Sequence, residues 1–224
     1  MDVTALMNHT LTWGVEYVAS TVFLSFDVFP LMVQTPDASS SHQTAIADVG
    51  EFGLIAHLRD TLGTPTDDAV QLGIGDDAAV YAVDDDTVHA ITTDVLIEGI
   101  HFDRTFVPME HLGFKAISVN VSDVVAMNAT PRYATVALGI PESASVEMME
   151  TLYKGMRQAC QAYDMTIVGG DTSGAHSLSL SVTVVGEAAP ESVVPRSGAT
   201  VGDKVCVTGD QIGRHTSELQ SRMF

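Results

Sequence analysis

Four short acidic clusters interrupt an otherwise apolar chain: Gly75-Asp76-Asp77, Thr92-Thr93-Asp94, Asn120-Val121-Ser122-Asp123 and Gly169-Gly170-Asp171-Thr172. Between Lys115 and Arg132 the single formal charge is Asp123. A lone carboxylate in an apolar segment is penalised by burial unless a cation compensates it, and a bound metal ion is the simplest compensator. Two of the other clusters follow apolar runs, Val88 to Ile91 and Ile167-Val168, which predicts carboxylates at strand ends. Hard oxygen donors gathered there suit Mg²⁺.

The elements that must position these groups are legible from periodicity. Phe52, Leu54, Ile55, Leu58 and Leu62, closed by Gly63, predict a helix with a glycine stop. Strands are expected at Ala79 to Val83 and Val88 to Thr93, joined by Asp84-Asp85-Asp86, where aspartate is favoured by the turn itself rather than as a ligand. A helix from about Met109 to Met127, a strand at Tyr133 to Leu138 and a helix from Val146 to Tyr163 follow. The apolar stripe of that last helix is Val146, Met149, Tyr153, Met156, Cys160 and Tyr163, which makes Cys160 a packed thiol rather than a nucleophile. A strand at Thr166 to Gly169 and the alternating Leu178, Leu180, Val182, Val184, ending near Glu187, complete the pattern. The order ββαβαββ predicts an α/β (α+β) fold, a mixed β-sheet packed by helices rather than a uniform βαβ series.

Composition bounds the partners. A 224-residue chain with 46% hydrophobic content can bury one ordinary core. Its formal charge of -19, with Lys115, Lys154 and Lys204 its only lysines, excludes a nucleic-acid backbone as the natural partner. Most of the acidity reads as surface carboxylate, as in proteins of high-salt hosts. The N-terminus lacks the basic start of a secretory signal, and Asp27 and Pro30 interrupt the Val22 to Val33 patch, so neither leader nor membrane span is expected. Cys160 and Cys206 are too few and too far apart for a disulfide framework, which points to a reducing cytoplasm, with Cys206 packed in a strand from Lys204 to Thr208. Three segments result: an atypical extension and linker over 1–48, including Pro36 to Ser41; a domain over 49–190; and a linker with the stub of a second domain over 191–224.

Five segments stand in a telling order: Gly73-Ile74-Gly75-Asp76-Asp77-Ala78-Ala79, Thr92-Thr93-Asp94 through Gly99-Ile100-His101-Phe102, Lys115 through Asp123, Gly169-Gly170-Asp171-Thr172, and Pro195-Arg196-Ser197-Gly198-Ala199. From about Val49 to Asp210 the chain resembles the thiamine-monophosphate kinases, in the superfamily of aminoimidazole ribonucleotide synthetase. The resemblance implies an ATP- and Mg²⁺-binding N-terminal domain whose sheet pairs into a barrel across a homodimer. It implies phosphorylation of thiamine monophosphate to the diphosphate, with ATP as co-substrate, and a second domain that completes the site and here is cut short, so this chain is expected to bind Mg²⁺ and ATP but to turn over poorly. By resemblance Asp77, Thr92, Thr93, Asp94, Asp123 and Asp171 are metal positions, Gly170, Asp171 and Arg196 contact ATP, and His101 contacts the substrate.

Phosphoryl transfer between two anions needs charge neutralised and partners held in line. The aspartates then hold metal rather than move protons, and no catalytic side chain is required because the attacking phosphate oxygen is already ionised. No GxxxxGK[ST] loop is present, and the family does not use one. Relatives with other chemistry fit less well: a selenophosphate synthetase needs a cysteine ahead of the first glycine-acid motif, yet Cys160 is the first in the chain. An aminoimidazole ribonucleotide synthetase needs a lysine where Thr93-Asp94-Val95 stands, and the hydrogenase-maturation relative ends in cysteine rather than Phe224. The remaining alternatives are a non-catalytic nucleotide- and Mg²⁺-binding dimerisation fragment and a metal-dependent phosphatase.

Overall fold

The computed structural model describes residues 43–204 and 206, together with the backbone of a hairpin of β1 (Gly14–Val18) and β2 (Thr21–Ser25). That hairpin belongs to one compact unit, Met1–Ala45, and the elements below to a second, Ile46–Phe224. The expected linker at Pro36 to Ser41 lies outside the described residues, as does the expected strand after Lys204 apart from Cys206. Cys206 itself is exposed rather than packed.

The second unit is built on six strands: β3 (Val70–Leu72), β4 (Ala79–Ala82), β5 (Val88–Ile97), β6 (Thr130–Ile140), β7 (Thr166–Gly174) and β8 (Ser179–Ala188). They lie in the order β3-β4-β5-β8-β6-β7. Every pairing is antiparallel except β6 with β7, which are parallel because helix α3 (Val146–Ala162) carries the chain back across the sheet between them. Helix α2 (Met109–Ala126) lies against β5, β6 and β8, and α3 packs on α2.

Strict alternation along β8 puts Leu180, Val182, Val184 and Gly186 inside. Those residues meet Leu112, Ile117 and Val124 of α2 in a core that also holds Val136, Leu152 and Met156. The two helices approach closely: a Cβ on Gly113 would stand 1.9 Å from the Leu152 carbonyl oxygen, and one on Gly155 1.8 Å from that of Glu110. Glycine is what permits this contact. The other face of the sheet carries exposed Val95 and Tyr133.

Several expectations need correction. The α3 stripe is displaced: Leu152, Gly155, Met156, Ala159 and Cys160 are buried, whereas Val146 is exposed, because the glycine contact with α2 rotates the inner face. Cys160 is nonetheless buried as expected, and burial pushes its thiol up. Helix α1 (Ile46–Leu62) ends as expected at Gly63, whose φ of 75° suits glycine, yet it buries none of its residues. Most significantly, Thr92 to Asp94 and Asp171 are not at strand ends. They lie inside β5 and β7, because pairing with β8 carries β5 on to Ile97 and pairing with β6 carries β7 on to Gly174.

Candidate functional site

Strand β4 stops pairing with β5 at Ala79 and Ile91, while β5 continues. From Thr92 onward β5 has β8 on one side and an open edge on the other. A cleft of about 640 Å³ opens there, lined by Asp76 and Asp77 from the loop before β4, by Thr92 and Asp94, by Asp123 of α2, and by Arg196. Thr93 borders it too, but its hydroxyl is engaged within the sheet, donating to the Val182 carbonyl at 3.1 Å and accepting from the Thr183 hydroxyl at 3.1 Å.

The open edge is held by a residue to which the sequence reading gave no role. Asn120 is 1% exposed, and its Oδ1 accepts the Asp94 backbone N–H at 3.0 Å while its Nδ2 donates to the Ala116 carbonyl at 3.1 Å. An amide side chain thus replaces the missing neighbouring strand. The available signal was its place in α2, three residues and nearly one turn before Asp123. Asp123 accepts from the Thr92 hydroxyl at 3.2 Å. Burial pushes its carboxyl above the usual range, the charges of Asp94 and Asp77 add to the effect, and Thr92 and Arg196 oppose it.

Arg196 closes the cleft from the far end of the chain. Its backbone N–H donates to Asp76 Oδ2 at 3.0 Å and its guanidinium pairs with Asp77 Oδ1, which raises the arginine further above its ordinary value. Asp76 also accepts the Asp77 backbone N–H at 2.9 Å, so it shapes the turn.

Among the described residues no three His, Cys, Asp or Glu groups stand together as a finished ion cage. Mg²⁺ does not need one, since it binds through one or two carboxylates, several waters and substrate phosphates. Asp123 makes the fit concrete: a half-buried carboxyl disfavoured as an anion by burial and by two neighbouring aspartates, with the oxygen groups of Asp76, Asp77, Thr92 and Asp94 lining the same cleft.

The remaining predicted residues lie elsewhere. His101 sits in the turn after β5, its Nδ1 accepting the Ile97 N–H at 3.0 Å and its carbonyl accepting from Lys115 Nζ at 3.1 Å. The neutral ring therefore carries its proton on Nε2. Asp171 is three strands away from β5, about 14 Å at ordinary strand spacing. It also faces the other way: Asp94 shares a row with the buried Val182 and Val136, whereas Asp171 shares the next row with Ala137, Ser181 and Val95. One ion cannot bridge Asp94 and Asp171 within a single chain.

Asp171 has its own setting. With Gly169, Gly170 and Tyr153 it lines a cavity of about 460 Å³, and Tyr153 and Ile167 link this to a groove of about 740 Å³ along α3, past Lys154 and Arg157. Tyr153, read from sequence as core stripe, is 38% exposed at this junction. Its polar neighbours Thr151 and Lys154 were the sequence sign of a boundary position. Gly170 has a packing cause as well, since a Cβ there would stand 1.8 Å from the Val136 carbonyl oxygen.

With this geometry in hand, the comparisons with known proteins are specific. The family model described as AIR synthase related protein, N-terminal domain, matches residues 75–188, about half of the chain. The chain belongs to this family. Among curated relatives, the thiamine-monophosphate kinase of Aquifex aeolicus is 42% identical over 164 residues, 73% of this chain and 50% of the relative. That of Bacillus subtilis is 36% identical over 161 residues, 71% and 49%, and that of Escherichia coli K12 is 38% identical over 160 residues, 71% and 48%. The solved structure "AaThiL complexed with AMPPCP and TMP" aligns with TM-score 0.64 and 39% identity, over 73% of this chain and 49% of that one. The protein tt0281 from Thermus thermophilus aligns with TM-score 0.58 and 28% identity, over 66% and 47%. The chain thus spans about half the length of the curated relatives it matches.

The family match carries strands β4 to β8 of the mixed sheet and all four acidic clusters, but it begins after β3 and ends before Arg196. That residue joins the cleft through its contacts with Asp76 and Asp77. No helix among the described residues is long and apolar enough to cross a membrane.

Proposed function

We propose that this chain carries the nucleotide- and metal-binding half of a thiamine-monophosphate kinase, transferring the γ-phosphoryl group of ATP to thiamine monophosphate. The observation that supports this best is the meeting of Asp77, Asp94, Asp123 and Arg196 in one cleft, although they come from four separate segments. Relatives named for this activity, and one solved with AMPPCP and TMP, support the choice of substrates.

In this reading Asp77, Asp94 and Asp123, with the Thr92 hydroxyl and the backbone around Thr93, hold Mg²⁺, which supplies charge neutralisation between two phosphate groups. Asn120 fixes the strand edge that carries Asp94. Gly170 and Asp171 bound the phosphate end of the nucleotide site, with the adenosine lying along α3 beside Tyr153, and Arg196 meets phosphate oxygens. His101 offers Nε2–H to the thiamine ester. Within one chain Asp171 lies too far from Asp94 to share its ion. The face bearing Val95 and Tyr133 pairs with a second copy, giving a homodimer working in the cytoplasm.

The test is direct: incubate the chain with ATP, Mg²⁺ and thiamine monophosphate, and assay thiamine diphosphate. Acceptor-dependent ADP formation is expected. Phosphate release without acceptor would mark a phosphatase, and binding of Mg²⁺ and nucleotide without either product would mark a binding module.

A further inference from the structure

Arg196 is attached to the cleft at two points with different strengths. Its backbone N–H bond to Asp76 Oδ2, 3.0 Å long, holds the residue in place, while its guanidinium reaches across to Asp77 Oδ1 and is 59% exposed. The backbone anchor can persist while the side chain leaves. Leaving is inexpensive, because an exposed ion pair contributes little.

Asp77 is also the carboxylate that the reading above gives to the metal. A divalent ion on Asp77 would set two cations against one carboxylate, and their repulsion expels the weaker-held partner, the mobile guanidinium. In the metal-free cleft the same guanidinium offsets the mutual repulsion of Asp76, Asp77, Asp94 and Asp123. We propose that Arg196 is the counter-cation of the metal-free site, that Mg²⁺ displaces its side chain from Asp77, and that the displaced guanidinium then becomes available to nucleotide phosphate. This rests on the assignment of Mg²⁺ and ATP to the cleft. Loading is therefore ordered: metal binding converts Arg196 from a ligand of protein carboxylate into a ligand of phosphate.

The two halves of this role have opposite signs in one variant. Calorimetric titration of Mg²⁺ into the metal-free 224-residue chain should show about two- to fivefold tighter binding for Arg196→Gln than for the wild type, since a competitor has been removed. The same variant should bind Mg²⁺ with a non-hydrolysable ATP analogue about tenfold more weakly. Arg196→Lys, which keeps the charge, should return Mg²⁺ affinity towards the wild-type value. A second measurement needs no variant: the Arg196 Nε–H resonance should move in step with Mg²⁺ occupancy before nucleotide is added. Unchanged or weaker Mg²⁺ binding in Arg196→Gln, or a resonance indifferent to Mg²⁺, overturns the exchange. Failure of the wild-type chain to bind Mg²⁺ or the analogue would instead overturn the underlying functional reading.

Discussion

The two acidic strands of the sheet are built on different terms. On β5, Asp94 is flanked by a helix whose Asn120 and Asp123 reach its backbone and the nearby Thr92, so the protein's own side chains brace the cleft. On β7, at the edge of the sheet, Asp171 stands among glycines, and none of the hydrogen bonds among the described residues involves its carboxylate. One side is braced by side chains; the other is an approach path left clear by missing side chains. On the proposed reading, the first suits small hard ions and the second a bulky nucleotide.

The largest effect should separate the two sides functionally. Asp123→Asn should reduce Mg²⁺-dependent turnover by about a hundredfold or more, by analogy with removal of a preorganised electrostatic group, while leaving the far-ultraviolet circular dichroism unchanged. Asp171→Asn should act mainly on the KM for ATP, so equal losses of kcat in both variants would erase the distinction.

Within β7 itself, Gly170→Ala and Gly169→Ala form an internal control. A Cβ at Gly170 meets the Val136 carbonyl oxygen at 1.8 Å, whereas one at Gly169 meets nothing within 4 Å. Chemical denaturation should show a loss of about 2–4 kcal/mol for Gly170→Ala and less than about 0.5 kcal/mol for Gly169→Ala. Similar values for the two would mean that the strand does not pack on β6 as described.

On the braced side, Asn120→Ala leaves the Asp94 N–H without its partner and should lower stability by about 1–3 kcal/mol. A neutral result would show that β5 does not depend on α2 for its open edge. The smallest effect is one of sign. The Asp123 carboxyl lies above its unfolded value, chiefly through burial and then through Asp94, so its ionisation opposes folding. That penalty is absent below the ordinary carboxylate range and grows as pH rises through the raised value. Without metal, Asp123→Asn should thus melt higher than the wild type at neutral pH, with the difference vanishing near about pH 3. A variant that melts lower at neutral pH would show that the apo cleft is not strained by its charges.

The sequence alone determined the order of the second unit from β4 to β8, the glycine that ends α1, and the isolation of Asp123 in an apolar helix, because periodicity and local charge balance act over a few residues. The acidic motifs supply most of the polar residues of the cleft. Only the tertiary structure decided how far the strands run, since β5 and β7 extend through pairing with β8 and β6 rather than through their own composition. It alone sorted Asp94 and Asp171 onto opposite faces, turned Tyr153 from core to groove, and gave Asn120 its task. It also brought Arg196 to carboxylates 119 and 120 positions earlier. Such relations depend on register and on contacts between distant segments, and no local pattern of residues encodes them.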